Sequence, residues 1–413
     1  MPMVKVPDII YNANLKKHLM KRSEYGRIIA PFKAREVFKD EFFTNTPPSI
    51  FIGSALPHPQ VNVGILAPPE KKEDVWLYDA QKYWSEKGFN IYQIMEFRAS
   101  LINSRFRTDV NAARENSRFL ELAKEIAMSS KPVDTEVKLK KKIKLRINFD
   151  DVALPMGPRG NLIKLDIGNT NILQRVDKVY FDTDMKATDA MNYLNEYGLD
   201  EQKISQLLSI GVMGQKKRRV LVPTRWSITA TDSILGNLLL KKIKEYKILE
   251  DYRFFYGHYL GNYYFVLFFP SIYNYELFET YLPGSFWNPT DKINMETDFE
   301  PFKGRTKYAQ NTVGGFYATR LGIFEYLNNI KRQASVLVVR VETPDYFLGL
   351  GVWVVREAIR KTLMNKPLEF DEKNKAIEFF KNQIFEKFRL EVSETLEHSK
   401  LLAAIKQKKL FEF

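Results

Sequence analysis

The 413-residue chain contains no cysteine. This absence excludes disulfide scaffolds, cysteine nucleophiles and zinc or iron–sulfur sites that depend on thiolates. Histidine is scarce too, and the four histidines are too scattered to form a spaced metal-binding motif; they are His18, His58, His258 and His398. The sequence therefore predicts no metal site.

Membrane and nucleotide-binding signatures are also missing. No apolar run approaches the roughly 20 residues that span a bilayer, and the N-terminus has no signal-peptide core. We therefore expect a cytoplasmic protein that makes no membrane contact. The sequence has no Walker loop, dinucleotide-binding fingerprint, G-x-S-x-G elbow or metal-spaced carboxylates. It predicts no cofactor and leaves open whether the protein is an enzyme.

Basic side chains outnumber acidic ones. The chain has 63 Lys and Arg against 50 Asp and Glu, which gives a formal net charge of +13. Such an excess attracts polyanions, and nucleic acid is the commonest polyanion inside a cell. A lysine-rich surface that only keeps the protein in solution is the alternative, so the placement of the cations matters more than their sum.

Helical and strand patterns alternate along the chain. They predict a mixed α/β fold with a central mixed sheet, flanking helices, a long C-terminal amphipathic helix and a flexible terminal peptide. The aromatic strands 252–258 and 263–269 form a hairpin around Gly261-Asn262, and their rings suit a sheet core or, alternatively, base stacking. Helices are predicted at 111–128, 233–249, 314–330, 356–364 and around Ile377, Phe380, Ile384 and Phe388, and further strands at 335–341 and 351–355.

Residues 137–147 alternate between apolar and basic side chains, as in a strand with two different faces. Cations on one face lie roughly 6.6 Å apart, which suits a phosphate backbone. A solvated outer face, or an edge strand protected by lysines, is the alternative. The apolar face has Val137, Leu139, Ile143, Leu145 and Ile147, the basic face has Lys138, Lys140, Lys142, Lys144 and Arg146, and Lys141 interrupts the pattern.

A second basic element follows two short helical patterns between residues 186 and 211. Gly198 can end the first helix and Asp200 can cap the second. Helix, turn, helix and basic run together resemble a helix-turn-helix in outline, although two short helices occur in most folds. The candidate DNA-backbone ligands of the run are Lys216, Lys217, Arg218 and Arg219.

Arginines beside aromatic and hydroxyl-bearing residues form another group of candidates. Converged in one cleft, they would bind the phosphate of a nucleotide or of DNA, with glutamates for acid–base chemistry. A network of internal Arg–Glu pairs is the alternative. The candidate phosphate ligands are Arg225, Trp226, Thr229, Arg305, Tyr308, Arg320, Arg332 and Arg356, and the candidate acid/base residues are Glu300 and Glu325.

The chain ends in a short motif, residues 407–413 (QKKLFEF). Gln407 with Leu410 at +3 and Phe413 at +6 has the spacing of peptides that dock into sliding clamps. A 3₁₀ turn, with three residues per turn, places Leu410 and Phe413 on one side. Phe411 adds a second aromatic ring. The alternative is a tail packed on its own domain.

Seven segments together resemble the archaeal Nre family of DNA repair proteins, in order from about residue 44 to the C-terminus. The resemblance implies a role in the response to DNA damage. It also implies binding of the PCNA sliding clamp through Gln407, Leu410 and Phe413. The segments are residues 47–53 (PPSIFIG), 61–64 (VNVG), 97–101 (FRASL), 222–230 (VPTRWSITA), 314–320 (GGFYATR), 332–334 (RQA) and 351–357 (GVWVVRE).

The chain departs from the family pattern in two respects. Many relatives have an N-terminal cysteine-rich zinc-binding segment, which this chain cannot form. Many clamp peptides end in two adjacent aromatic residues, whereas here Phe411 is displaced from Phe413. By this resemblance the chain divides into an N-terminal arm without zinc ligands (1–43), an N-terminal domain (44–295), a C-terminal domain (296–395) and a tail (396–413).

These observations predict a DNA repair factor that PCNA recruits through the terminal peptide and whose basic body contacts DNA. Recruitment raises the local concentration of the body at DNA without a tight site of its own. The alternative is an enzyme that processes a nucleotide or a DNA end in an arginine-rich pocket, with a nucleotide as its ligand. A third interpretation of the sequence is a structural adaptor without an anion pocket.

Overall fold

The structure, a computed structural model, describes residues 40–114, 117–143 and 153–406. They divide into an N-terminal unit, residues 40–235 with 349–351, and a C-terminal unit, residues 236–348 with 352–406. Each unit contains a mixed six-stranded sheet, which confirms the predicted mixed α/β class. In the described parts of the chain, no helix is both long and apolar enough to cross a bilayer.

The sheet of the N-terminal unit has the strand order β1-β5-β6-β4-β3-β2, with β4 and β6 parallel and the other neighbours antiparallel. Its strands are β1 (Glu41–Thr46), β2 (Ile50–Ile52), β3 (Gln60–Ala67), β4 (Ile102–Asp109), β5 (Val133–Leu139) and β6 (Arg159–Ile167). Its helices are α1 (Gln81–Glu86), α2 (Ile91–Ser100), α3 (Arg118–Met128), α4 (Gln174–Phe181), α5 (Ala187–Glu196) and α6 (Glu201–Ser209). The 3₁₀ turns are Val75–Asp79, Val110–Arg114 and Lys216–Arg218.

The lysine strand is displaced from its predicted position. Alternate residues of β5 are buried, including Val137 and Leu139, but the strand ends at Leu139 instead of continuing to residue 147. The pairing explains this end, because the neighbouring strand β1 begins at Glu41, opposite Lys138, and the register with β6 shifts after Lys138. Residues 144–147 of the predicted strand lie outside the described residues.

The predicted helix 111–128 is likewise shorter than expected. A 3₁₀ turn covers Val110–Arg114, and α3 begins at Arg118, after Ser117 at its N-cap position. The apolar positions of α3 are buried, as the periodicity predicts; among them are Leu120, Ala123 and Ile126.

The pair of short helices between residues 186 and 211 is confirmed. Gly198 follows α5 with φ +81°, a conformation that glycine adopts without the steric cost of a side chain. The Asp200 side chain accepts the Lys203 N–H at 2.7 Å and so caps α6. The predicted turn residues therefore end one helix and cap the next, as the sequence indicated.

Helix α7 (Thr224–Ile243) contains the boundary between the two units, at residues 235 and 236. It begins nine residues before the predicted start at 233, because the Pro223 carbonyl accepts the N–H groups of Trp226 and Ser227. It ends before strand β7 (Lys247–Ile248), which pairs with β12 (Arg332–Gln333) and replaces the predicted last helical turn.

The sheet of the C-terminal unit has the order β11-β10-β13-β9-β8-β14, with β10 and β13 parallel and the other neighbours antiparallel. Its strands are β8 (Tyr252–Tyr259), β9 (Asn262–Phe269), β10 (Asn274–Tyr281), β11 (Asn294–Glu300), β13 (Ser335–Glu342) and β14 (Leu368–Phe370). Its helices are α8 (Val313–Ile330), α9 (Trp353–Met364), α10 (Lys373–Phe388), α11 (Ser393–Glu397) and α12 (Lys400–Lys406).

Helices cover both faces of this sheet. On one face, Phe254, Phe265 and Val339 belong to a cluster with residues of α10, α11 and α12. On the other face, Tyr264 contacts Thr319 of α8, with their hydroxyls 2.9 Å apart. The central strand β13 is buried along its whole length, as the valine-rich run predicts.

The aromatic hairpin forms with its turn one residue earlier than predicted. Leu260 and Gly261 have φ of +47° and +72°, whereas Asn262 already belongs to β9. Two consecutive positive φ angles match the right-handed twist of a tight hairpin. Phe255 and Phe268 are buried and pack together, with ring centroids 5.5 Å apart, so the aromatic residues of the hairpin contribute to the core.

One further prediction near the C-terminus was wrong. Residues 351–355 do not form a strand, because Gly351 has φ +96° and α9 begins at Trp353. The helix α10 is followed by α11 and α12, whose Leu401 and Leu402 are buried, so the part of the tail from 396 to 406 packs on the C-terminal unit. The predicted domain boundary at 295/296 lies inside β11 of the C-terminal sheet.

Candidate nucleic-acid interface

The exposed cations Lys216, Lys217 and Arg218 lie on a 3₁₀ turn of the N-terminal unit. Within the described ranges, no carboxylate forms an ion pair with any of them. The backbone N–H of Lys216 donates to the Thr183 carbonyl at 2.9 Å, which fixes the turn beside the C-terminal end of α4. Three positive charges thus face solvent from an anchored turn, an arrangement that suits contact with phosphates of any sequence.

Arg219 was predicted to contact DNA together with these three residues, but the structure places it in the interior. Its guanidinium donates to the carbonyls of Gly214 (2.7 Å), Tyr180 (2.8 Å), Asp182 (2.9 Å) and Val179 (3.3 Å). Three of these carbonyls belong to the end of α4, whose last carbonyls lack partners within the helix. Arg219 therefore fixes the basic turn to α4 and is not part of the exposed surface.

The outer face of β5 carries ion pairs between strands. Lys138 Nζ lies 2.7 Å from Glu41 Oε2, and this hydrogen bond raises the pKa of Lys138. On β6, Lys164 lies 2.6 Å from Glu136, in a second cross-strand pair. Cross-strand pairs of opposite charge are typical of a solvated sheet face. Lys138 already has a carboxylate partner, whereas a lysine available to bind phosphate would have none.

The other lysines of the predicted basic face follow the strand instead of belonging to it. Lys140, Lys141 and Lys142 are exposed after the end of β5. Lys144 and Arg146 lie outside the described residues.

A cleft between α4 and α5 was not singled out from the sequence. It has a volume of about 820 Å³ and is lined by the aromatic residues Phe181, Tyr193 and Tyr197 and by the cations Arg175 and Lys178. One feature of the sequence could have indicated this cleft. Phe181 and Tyr197 are aromatic residues at the C-terminal ends of two amphipathic helices, α4 and α5.

The structure brings several of the candidate phosphate ligands together around β11 and α8, where carboxylates pair with them. Arg320 and Glu300 are both buried, and their charged groups lie 2.7 Å apart. Arg305 lies 3.0 Å from Asp298. Tyr308 packs against Tyr317 with ring centroids 4.6 Å apart.

The segment just before α8 is held by a carboxylate of the same unit. Asp298 accepts the backbone N–H groups of Asn311 and Thr312, both at 2.9 Å. A Cβ atom at Gly315 would collide with Glu279, so the close approach of this carboxylate requires a glycine. Asp298 thus bonds to the backbone of the two residues that precede the first helical residue, Val313.

Two other candidates of the C-terminal unit are also paired internally. Glu325 accepts from Arg360 at 2.7 and 2.8 Å, and Arg360 also donates to Glu357 at 2.7 Å. Arg332 on β12 lies 3.6 Å from Glu250.

The last candidates lie on helices. Arg356 is buried on α9. Arg225, Trp226 and Thr229 belong to α7 in the N-terminal unit, where Trp226 is exposed and Thr229 Oγ1 donates to the Arg225 carbonyl at 3.2 Å. Among the candidates, the pairing of Arg320 with Glu300 and of Arg332 with Glu250 matches the alternative of internal Arg–Glu pairs.

Sequence reasoning missed a second buried charge cluster. Arg340 on β13 donates to Glu279 and, at 3.0 Å, to Glu342, and it also contacts Asn262. Burial raises the pKa of Glu342 to about 8, although Arg340 opposes this shift. A charged residue within the valine-rich run 335–341 was the signal in the sequence.

The predicted clamp-binding residues Gln407, Leu410, Phe411 and Phe413 lie outside the described residues. The chain reaches them through α12, whose N-terminus is capped by Glu276; this carboxylate accepts the N–H groups of Lys400 and Leu401 at 3.1 and 3.0 Å. In residues 40–114, 117–143 and 153–406, no group of three or more acidic or histidine side chains is placed to hold a metal ion.

Comparisons with known proteins cover nearly the whole chain. The model "Archaeal Nre, N-terminal" matches residues 25–288, and "Archaeal Nre, C-terminal" matches residues 300–413. No solved structure matches the chain.

Curated relatives extend over most of the chain. DNA repair protein NreB of Archaeoglobus fulgidus is 37% identical over 89% of this chain and 91% of its own length. DNA repair protein NreA of Haloferax volcanii is 36% identical over 84% of each chain, and NreA of Archaeoglobus fulgidus is 36% identical over 80% of this chain and 82% of its own length. Because two family models and full-length relatives agree, the chain belongs to the archaeal Nre family.

Proposed function

We propose that this protein is a DNA damage repair factor that the PCNA sliding clamp recruits through residues 407–413 and whose N-terminal unit contacts DNA. The observation that carries the proposal is the similarity of most of the chain to proteins named DNA repair proteins, at 36 and 37% identity. The proposed contacts with the clamp and with DNA go beyond this similarity. Separate features of the chain support each of them.

The clamp contact is supported by the spacing of Gln407, Leu410 and Phe413. These residues follow directly after Lys406, the last residue of α12. Since Leu401 and Leu402 are buried in the C-terminal core, the peptide starts from an anchored point of the body. A terminal peptide that folds on a partner gives modest affinity, because it loses conformational entropy on binding.

The DNA contact is supported by the exposed turn with Lys216, Lys217 and Arg218. A turn with three cations gives weak, salt-dependent affinity, because its contacts are purely electrostatic. Tethering to a clamp that encircles DNA raises the effective concentration of such a weak site. The two contacts therefore complement each other. The peptide holds the protein at the clamp, and the basic turn contacts the DNA that the clamp encircles.

Calorimetry with a PCNA clamp tests the proposal. A chain that ends at Lys406 should lose measurable clamp binding and keep the melting temperature of the full chain, because α12 and its buried leucines remain. In the full chain, Leu410→Ala with Phe413→Ala should have the same effect.

The matched control changes two neighbouring residues outside the apolar positions, Lys408→Ala with Lys409→Ala, and should retain most of the binding. Clamp binding that is unaltered by the truncation would refute the peptide assignment.

The alternative of an enzyme with an arginine-rich phosphate pocket gains no support from the pairing pattern. Arg305, Arg320 and Arg332 each have a carboxylate partner within 3.6 Å. Removing a buried arginine from its carboxylate to bind phosphate would leave that carboxylate uncompensated, at a cost of about 3–5 kcal/mol.

A further inference from the structure

We propose that the cleft between α4 and α5 binds unpaired bases of single-stranded DNA between Phe181 and Tyr197, while the adjacent basic turn contacts the phosphates. This inference rests on the proposed function and names the form of DNA that the N-terminal unit takes. Nothing in the family comparisons assigns a role to this cleft.

Two aromatic rings of the cleft, those of Phe181 and Tyr197, are exposed, and each contacts a neighbouring ring. Phe181 is 72% exposed and Tyr197 is 56% exposed. Tyr193 lies next to Tyr197, with ring centroids 4.6 Å apart and planes at 48°. The ring of Tyr180 packs edge-on against Phe181 at 5.2 Å. Rings that are exposed but positioned lose little entropy on binding, which suits them as stacking surfaces for bases.

Positive charges surround these rings. Lys178 Nζ lies 4.7 Å from the centroid of the Tyr193 ring. Arg175 donates to the Tyr197 carbonyl at 2.9 Å, and its Nε is buried without a hydrogen-bond partner among the described residues. Asp177 also lines the cleft, so the lining has two positive charges against one negative.

The basic turn with Lys216, Lys217 and Arg218 adds three positive charges at the C-terminal end of α4, where the Lys216 N–H donates to the Thr183 carbonyl. Arg219 bonds to the last carbonyls of α4, the helix that ends at Phe181. The turn and the Phe181 ring therefore both lie at the C-terminal end of α4. This juxtaposition of stacking rings and phosphate ligands favours a nucleic acid over an apolar partner.

The form of the cleft favours a single strand. The cleft is open to solvent, has a volume of about 820 Å³ and presents the Phe181 and Tyr197 rings at its surface. In a duplex the bases are stacked on one another and paired, so their faces cannot reach side-chain rings. Unpaired bases can turn outward and stack on aromatic side chains.

Fluorescence anisotropy with the full chain tests the inference. The probes are a labelled 12-nucleotide oligothymidylate and a labelled 12-base-pair duplex. Phe181→Ala and Tyr197→Ala should each weaken single-strand binding on the order of tenfold, the effect of losing one stacked base. Duplex binding should change little, and Phe181→Trp should keep single-strand binding because it retains a stacking surface.

Three controls separate the cleft from general effects. Phe43→Ala and Tyr92→Ala remove exposed rings of the same unit outside the cleft and should leave both affinities unchanged. Asp177→Asn removes the negative charge of the lining and should tighten single-strand binding about two- to threefold at low salt, because a phosphate is no longer repelled. Melting temperatures should confirm that all variants fold.

The outcomes distinguish this inference from the proposed function. If Phe181→Ala and Tyr197→Ala bind the single strand as the wild type does, while changing the basic turn to alanine weakens both DNAs, the cleft inference fails and the DNA contact stands. If the wild-type chain binds neither DNA, both fail. Loss of PCNA binding in the cleft variants, with DNA binding intact, would make the cleft a protein-docking surface and also overturn the inference.

Discussion

The sheets of the two units place their charged residues differently. The C-terminal unit buries Arg320 with Glu300, and Arg340 with Glu279 and Glu342, between its sheet and the helices on one face. Most cation–carboxylate pairs of the sheet in the N-terminal unit lie at the surface, as Lys138 with Glu41 does.

This difference distinguishes arginines that stabilise the fold from cations that are available to bind a ligand. A buried arginine is committed to its carboxylates, since separating them leaves a charge in a medium that solvates it poorly. An exposed cation keeps its water and exchanges it for a phosphate at little cost. The motif around Arg320 therefore belongs to the core of the C-terminal unit, whereas the exposed basic run Lys216, Lys217 and Arg218 is the surface that we propose for DNA.

The sharpest test of the comparison breaks one ion pair in each unit. Arg320→Met leaves Glu300 buried without its partner and should lower the free energy of unfolding by about 3–5 kcal/mol in urea titrations. The combined change Arg320→Met with Glu300→Leu should recover much of the loss, because no isolated charge remains. Lys138→Ala, which removes a solvated cation, should leave the urea midpoint nearly unchanged. Equal losses in Arg320→Met and Lys138→Ala would contradict the comparison.

The pH dependence of stability should have opposite signs in the two units. Burial raises the pKa of Glu342 to about 8 from an ordinary value of 4.5, so the folded C-terminal unit holds this proton more tightly. Its stability should fall by a few kcal/mol as pH rises from about 4.5 to 8. Burial lowers the pKa of Lys203 to about 8 from 10.5. The N-terminal unit should therefore gain stability as pH rises from 8 to about 10.5.

Calorimetric melting of variants checks these signs. The difference in melting temperature between Glu342→Gln and the wild type should become more positive between pH 5 and pH 8. The difference between Lys203→Met and the wild type should be constant below pH 8 and should shift against the variant above it. A Glu342→Gln curve parallel to the wild-type curve from pH 5 to 8 would show that the carboxyl group keeps an ordinary pKa.

A smaller effect is expected at two glycines with positive φ. Gly198 has φ +81° and no atom within 4 Å of the position of a Cβ, so Gly198→Ala should cost about 1 kcal/mol from backbone conformation alone. At Gly261, with φ +72°, a Cβ would lie 2.5 Å from the Tyr346 nitrogen. Gly261→Ala should therefore cost about 2–3 kcal/mol in the same urea titrations. A smaller loss at Gly261 than at Gly198 would mean that the hairpin turn relaxes.

Much of the fold could be predicted, because strong local signals and tertiary structure agree in several places. Gly198 and Asp200 marked the turn between α5 and α6, and the valine-rich run 335–341 marked the central strand. The failures arose where tertiary pairing overrides local preference. The β-prone residues 351–355 gave way to a helix start after Gly351, and the lysine strand ended where its neighbour β1 begins.

The candidate sites were harder to predict than the fold. The sequence shows which residues are basic but not whether a carboxylate from a distant segment reaches them; Glu300 lies 20 positions from Arg320. In the sequence, Arg219 could not be distinguished from its neighbour Arg218. Arg219 is buried because it donates hydrogen bonds to carbonyls at the end of α4, and the sequence does not show these contacts. The cleft between α4 and α5 depends on the packing of two helices, which periodicity does not specify.

The salt dependence of DNA binding tests the central claim most directly. Changing Lys216, Lys217 and Arg218 to alanine should weaken binding to a short duplex and flatten the plot of log affinity against log salt by about 2.7, roughly 0.9 for each lost phosphate contact. A matched loss of three exposed cations from the C-terminal unit, Lys366, Lys375 and Lys387, should leave the slope close to the wild-type value. An unchanged slope in the first variant and a flattened slope in the second would contradict the assignment of DNA contact to the N-terminal unit.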